Sequence, residues 1–328
     1  MIKRLILIII DLIFSWYIFQ VNIQLGNPCN STAFSRCFML SLTTFLIVYA
    51  PFEIYWSIFR LWSDRWTKIP LKELDISDIE IEVSDGKLSA NLINYKDKTN
   101  SGIKNAIIVI CHGFSDTKEK LEYFYIPLAI QGYTILTYDA RGTGKSKKTG
   151  KRSQFLKRIE DFNLILEWVK LQDDYTNMKI YCIGFSIGAL TILCGGFTNL
   201  QIDKIIAISS MSYYKQNIPK YNPVFVLSYL LKGVKLFPKP EENSKLSPYI
   251  VINNEKVDPK QKNWEKLSSR VMLIHSRNDR VIKFKNFLEN KLILDSPTKN
   301  LVVLKKGGHS HKKNECILVS TTLKFLKS

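Results

Sequence analysis

The chain holds 328 residues, with 47 Lys and Arg against 29 Asp and Glu, a formal charge of +18. Hydrophobic residues at 46% and charged residues at 23% exclude a disordered or collagen-like chain. Six cysteines without a C-x-x-C pair exclude a disulfide-dense secreted scaffold and suggest neither a zinc ribbon nor a thioredoxin-like redox site.

Apolar residues concentrate in two early stretches, 5–25 and 37–62. Only Lys3, Arg4, Arg36 and Arg60, against Asp11 and Glu53, precede residue 63, so the basic surplus belongs to the remainder. The first stretch approaches the ~20 residues that cross a bilayer. Asp11 within it would cost about 2.5–3.5 kcal/mol at the centre, which the surrounding Leu, Ile and Phe residues can offset. A cleaved signal peptide is the rival reading, but no small-residue cleavage site follows. The second stretch ends in Tyr55, Trp56, Arg60, Trp62 and Trp66, an interfacial collar. Residues 1–66 are therefore expected to form a membrane anchor, a two-helix transmembrane hairpin. Its basic flanks place both termini in the cytoplasm and the Asn30-Ser31-Thr32 sequon outside. A single signal-anchor helix is the alternative, and would put the globular domain outside.

Residues 67–328 read as one α/β domain. Ile76–Val83 alternates polar and apolar residues, meets the turn signal Asp85-Gly86, and continues into Leu88–Tyr95, an expected β-hairpin. Strands are then expected at 106–111, 133–138, 179–183, 204–209, 270–275 and 301–304. Helices are expected at 117–131, 154–171, 187–197, 284–294 and 316–326. This alternation predicts a mostly parallel sheet covered on both faces. Residues 211–267 break the rhythm. They carry Pro219, Pro223, Pro238 and Pro240, an amphipathic pattern over 224–236 and many aromatics, and are expected to form a cap over a site.

Gly184-Phe185-Ser186-Ile187-Gly188 is a G-x-S-x-G sequence between a predicted strand and a predicted helix. A turn that tight needs flanking positions without Cβ, and it presents the serine hydroxyl at a helix N-terminus. The alternative is an ordinary Gly-rich turn. A serine nucleophile needs a base, and the chain offers His112, His275, His309 and His311. His309 follows Gly307-Gly308 on a loop after a predicted strand and is the preferred base. His275 ends its own strand and reads as structural; His311 reads as a surface residue or a second candidate. Asp279, just past a strand end, can orient the imidazole, or serve as a helix N-cap. The order Ser186, Asp279, His309 is the one this arrangement requires. The backbone N–H groups of Ile187 and Phe114 are expected to form the oxyanion hole.

The motifs His112-Gly113-Phe114, Asp139-Ala140-Arg141-Gly142-Thr143-Gly144-Lys145-Ser146, the Ser186 elbow and the Asp279 and His309 loops together resemble the α/β-hydrolase superfamily. The resemblance is strongest to serine aminopeptidase-like and lipase-like hydrolases with a helical cap. It covers residues 76 to 328 and implies an eight-stranded core and a Ser-His-Asp hydrolase. A membrane-anchored serine hydrolase acting on a lipid-like or acyl-bearing ester is expected. A peptidase using the same triad is the runner-up, with Glu241 and Glu242 as partners for an α-amino group. A non-catalytic membrane scaffold is the reading from another class. Phe225 and Tyr229 in the cap, with Phe185 beside the nucleophile, are candidate acyl contacts.

Gly142-Thr143-Gly144-Lys145-Ser146 resembles the tail of a phosphate-binding loop, but Asp139 stands where the opening glycine belongs. No metal, cofactor or nucleic acid is implied. The basic cluster Lys145, Lys147, Lys148, Lys151, Arg152, Lys157 and Arg158 reads either as a solvated surface or as a contact to an anionic leaflet.

Overall fold

β-Branched and aliphatic runs bounded by turn residues dictate the strands. A computed structural model describes residues 2–24, single positions between 35 and 51, and 72–96, 104–218, 223–260 and 263–328. The chain divides into two units, Met1–Thr67 and Lys68–Ser328.

The first unit contains α1, Ile2–Gln24. Among the described residues no helix is long and apolar enough to cross a membrane. This corrects the expected N-terminal transmembrane helices, and with them the expected membrane localisation. The uninterrupted apolar run falls short of the ~20 residues a bilayer core requires, because Asp11, Ser15 and Gln20 punctuate it. Asp11 and Ser15 are buried, whereas Ile13, Trp16 and Tyr17 are exposed. Most of the second apolar stretch and the Asn30 loop lie outside the described residues.

The second unit is built on eight strands: β1 (Leu74–Val83), β2 (Gly86–Tyr95), β3 (Ala106–Cys111), β4 (Thr134–Tyr138), β5 (Lys179–Phe185), β6 (Ile202–Ile208), β7 (Val271–Ser276) and β8 (Leu301–Leu304). They form one sheet in the order β1-β2-β4-β3-β5-β6-β7-β8. The β1–β2 hairpin and the β2–β4 pair are antiparallel, and every other pair is parallel. The expected eight-stranded, mostly parallel sheet is present.

Alternation along β3 sends Ile107 and Val109 to one face and Ile108 and Ile110 to the other. The first face packs on α3 (Phe155–Leu171) through Phe162 and Ile165, and on α4 (Ile187–Gly196) through Ile192 and Leu193. The second face packs on α2 (Glu122–Ile130) through Phe124 and Leu128, and on the C-terminal helix Glu315–Lys327 through Leu318 and Phe325. Burial on both faces explains why β3 and β7 have no exposed residue.

Between β6 and β7 the chain forms α5 (Tyr214–Asn217), α6 (Pro223–Leu231), α7 (Pro240–Lys245), α8 (Pro248–Val257) and α9 (Trp264–Ser269). The last two helices are α10 (Lys285–Leu294), after β7, and α11 (Glu315–Lys327), after β8. Strands β4 and β5 flank β3 on opposite sides, so the chain reverses its direction of travel there. Ligands of open α/β sheets bind at such a point, beyond the carboxyl ends of the strands. The loop 112–116 leaves β3 at that point, and Ser186 follows β5.

Candidate active site

Ser186 caps α4 with φ 54° and ψ −113°, a conformation that costs a non-glycine residue energy. Its neighbours make the turn possible. A Cβ on Gly188 would collide with the Cys111 carbonyl, and one on Gly184 with Gly188 itself. The turn is fixed by the Ser186 N–H donating to the Ile208 carbonyl at 2.8 Å and the Leu190 N–H donating to the Ser186 carbonyl at 3.0 Å.

His309 Nε2 lies 3.0 Å from Ser186 Oγ, and His309 Nδ1 lies 2.8 Å from Asp279 Oδ2. A carboxylate only accepts, so Nδ1 carries the proton and Nε2 is left to accept the serine hydroxyl. Asp279 is itself held: its Oδ1 accepts the backbone N–H groups of Val281 (2.8 Å) and Ile282 (2.9 Å). Burial pushes the Asp279 carboxyl up. Hydrogen bonding and charge from His309, the Ile282 N–H and the nearby His275 outweigh that and leave it below its ordinary value.

Ile187 is the first residue of α4, so its N–H has no partner within the helix. Gly113 brings the opposite loop close: a Cβ there would sit 3.6 Å from Ser186 Cβ. Phe114 packs its ring against Phe155 (5.5 Å) and Tyr229 (6.0 Å). These rings join Ile187, Met211, Tyr214, Ile218, Val234 and Leu246 in one apolar cluster, so residues after β6 cover the elbow.

The other histidines have different places. His112 is buried and accepts the Ala140 N–H on Nε2 (2.9 Å), which assigns its proton to Nδ1, donated to the Gly113 carbonyl at 2.6 Å. Burial, then the charge of Arg158, push it down to about 4, so it remains neutral and braces the Gly113 turn. His275 donates Nε2–H to the Ile282 carbonyl at 2.8 Å and lies 3.6 Å from Asp279. His311 is buried rather than at the surface, with Nε2 3.0 Å from Ser209 Oγ. Phe185 is in the sheet core, edge-on to Phe124 at 5.0 Å, which removes it from the acyl contacts. The Phe225 side chain lies outside the described residues. Glu241 pairs with Lys245 and Glu242 with Lys235, so neither is held as a free anchor for an amine.

Several positioning contacts are not marked in the sequence. Asn278 Oδ1 accepts the Gly308 N–H at 2.9 Å and the Ser276 hydroxyl at 2.8 Å, tying the histidine loop to the aspartate loop. Its place directly before Asp279 was the one signal that could have found it. Arg141 is fully buried and forms paired bonds to Asp161 (2.8 and 2.6 Å) and to Asp85 in the hairpin turn (3.1 and 2.9 Å). Asp139 accepts the backbone N–H groups of Lys118 and Lys145. The Asp139–Ser146 segment is thus an internal clamp. An acid at 161, on the apolar face shared by Phe155, Phe162 and Ile165, was the signal for the Arg141 partner. The basic cluster is not one patch either: Lys145 pairs with Asp78, Lys157 with Glu160, and Arg158 is buried.

The eight-stranded sheet, with its strained Ser186 elbow and with Asp279 and His309 on the loops after β7 and β8, defines the fold as that of the α/β hydrolases. Residues 102–263 match the family described as serine aminopeptidase, S33. Among solved structures, the Pyrococcus furiosus esterase Pf2001 is 23% identical with a TM-score of 0.57, covering 80% of this chain and 94% of that one. A Pyrococcus horikoshii acylaminoacyl peptidase is 18% identical with a TM-score of 0.57, covering 78% of this chain and 42% of that one. An uncharacterized 31.7 kDa protein from the traX-finO intergenic region of Escherichia coli is 28% identical over 128 residues, 39% of this chain. The match spans 45% of that relative's length.

Proposed function

We propose that the protein hydrolyses a carboxylic ester with an apolar acyl group, using Ser186 as nucleophile, His309 as general base and acid, and Asp279 as the group that orients the imidazole. The observation that carries this reading is the continuous relay from Ser186 Oγ through His309 to Asp279, at 3.0 and 2.8 Å. Ser186 Oγ attacks the carbonyl carbon as its proton passes to His309 Nε2. The tetrahedral oxyanion accepts the N–H groups of Ile187 and Phe114, the contribution worth most in a dry site. Collapse expels the alcohol, which takes the proton from His309. Water, deprotonated by the same nitrogen, then releases the acid from the acyl-serine.

The apolar surroundings of Phe114, Ile187 and Tyr229 favour an acyl chain over a peptide, and the surface pairing of Glu241 and Glu242 removes the most obvious amine anchor. A region over residues 211–267 that selects the acyl part fits this cluster. The test is a fluorophosphonate probe together with a series of p-nitrophenyl esters. Labelling and turnover in the wild type, both absent in Ser186→Ala, support the reading. Turnover that persists in Ser186→Ala overturns it.

A further inference from the structure

Two cations converge on the loop that carries Phe114, and a third lies on the neighbouring ring of Phe155. The Arg152 guanidinium carbon lies 6.0 Å from the Phe114 ring centre, and Lys232 Nζ lies 5.4 Å from it. Lys232 Nζ also donates to Ser115 Oγ at 3.3 Å. The third cation, Arg158, is only 3% exposed. Its guanidinium lies 5.8 Å from the ring of Phe155, which packs on Phe114. Both Nε and Nη2 of Arg158 are buried without a hydrogen-bond partner.

That last fact separates Arg158 from Arg141, which fills its donors with Asp85 and Asp161. A buried guanidinium with unmatched N–H groups carries a desolvation cost that only an acceptor removes. The acids nearby are committed or insufficient. Asp161 is engaged by Arg141, and the charge of Asp116 acts on Arg152. Burial pushes Arg158 down to about 10, and Arg152, which repels it, is lowered by burial as well. Lys232 is lowered by burial and by the charge of Arg152. Like charges held together in this way are relieved by an anion, and guanidinium groups pair with planar or tetrahedral oxyanions through paired N–H bonds.

We propose that Arg152, Arg158 and Lys232 form an anion subsite beside the Phe114 N–H, so that the preferred substrate is an ester whose otherwise apolar acyl chain carries a carboxylate or phosphate group near the scissile carbonyl. The inference rests on Ser186 being the nucleophile, because Gly113 brings this loop to within van der Waals reach of that side chain.

Two measurements on the full chain test it. In the first, kcat/KM for mono-p-nitrophenyl glutarate is compared with that for p-nitrophenyl butyrate. The expected ratio favours the anionic ester by about 10-fold or more, the scale of one charge-assisted hydrogen bond. Arg152→Gln and Lys232→Gln each bring that ratio down toward one. Arg158→Lys keeps the buried charge where Arg158→Gln fails to fold, and it lowers the ratio through loss of the paired geometry. In the second, calorimetry with inorganic phosphate and with glutarate reads binding without turnover. Tighter phosphate binding assigns a phosphate-bearing substrate, and tighter glutarate binding a carboxylate-bearing one. If calorimetry detects anion binding that Arg152→Gln abolishes while no ester is cleaved, the subsite stands and the hydrolase reading falls. A wild-type ratio near one, with neither anion bound, overturns the subsite and leaves Ser186 catalysis untouched.

Discussion

Acid should destabilise this protein through a histidine that takes no part in the chemistry. His112 uses both ring nitrogens in the neutral form, accepting from Ala140 and donating to Gly113. Protonating Nε2 would break the Ala140 bond and place a charge beside Arg158. Burial, with that neighbouring charge, lowers its pKa from 6.5 to about 4. The unfolded chain therefore takes up a proton near pH 6.5 that the folded protein refuses until about pH 4, so stability falls as pH falls through that window. One proton taken up only on unfolding changes stability by about 1.4 kcal/mol for each pH unit, so the loss is about 2 kcal/mol between pH 7 and 5 and about 3 kcal/mol in all. His275, lowered chiefly by burial, adds in the same direction. Urea unfolding of the full chain at pH 7, 6 and 5, followed by tryptophan fluorescence, reads the slope. His112→Asn can still accept from Ala140 but does not titrate there. It should start less stable and lose about 2 kcal/mol less over the same range. Parallel losses in the two proteins would refute this account of His112.

Ser186→Ala should lower ester turnover by about 10⁴-fold or more with the thermal midpoint little changed. Ser186→Gly should be equally inactive yet more stable by about 0.5–1 kcal/mol, because glycine tolerates φ 54°; denaturant titration that finds it less stable would deny the strain. Asp161→Asn leaves Arg141 buried with half of its paired bonds and should cost about 3–5 kcal/mol in urea unfolding; a loss under about 1 kcal/mol would show that Asp85 alone suffices. Tyr229→Ala should shift the preference between short and long acyl esters by about 10-fold in relative kcat/KM; equal slowing of every ester would assign Tyr229 to packing alone.

The sheet was legible because its strands are short aliphatic runs with hard boundaries. β3 and β8 fall on the expected residues, and α3 and α4 lie within a residue of expectation. The helix expected over 117–131 starts instead as a 3-10 turn, Lys118–Leu121, where Lys118 turns in to Asp139, before α2 begins. The helix expected over 224–236 stops at Leu231, and Gly233 follows with φ 72°. Ser186, Asp279 and His309 could be found because each sits beside a glycine turn or a strand end. Their supports could not, since Arg141 and Asp161, or Asn278 and Gly308, meet only after the sheet has formed. Hydropathy along α1 suggested a membrane span, but it carries no information on direction: in that helix polar side chains are buried while aromatic ones are exposed.

Ser186 and His309 stand on supports of different kinds. Ser186 is locked between β5 and α4, in a turn whose glycines leave no room for adjustment. His309 rides the connection between β8 and α11, in which Gly307 and Gly308 both have positive φ. Hydrogen bonds from Gly308 to Asn278 and between His311 and Ser209 fasten that connection to its neighbours, with no sheet ladder behind them. Segments fastened in this way open locally at lower free energy than the core. Function and fold should therefore part company under mild denaturant. Hydrogen exchange at 307–312 would quicken, and turnover would fade, while the amides of β3 and β5 remained protected.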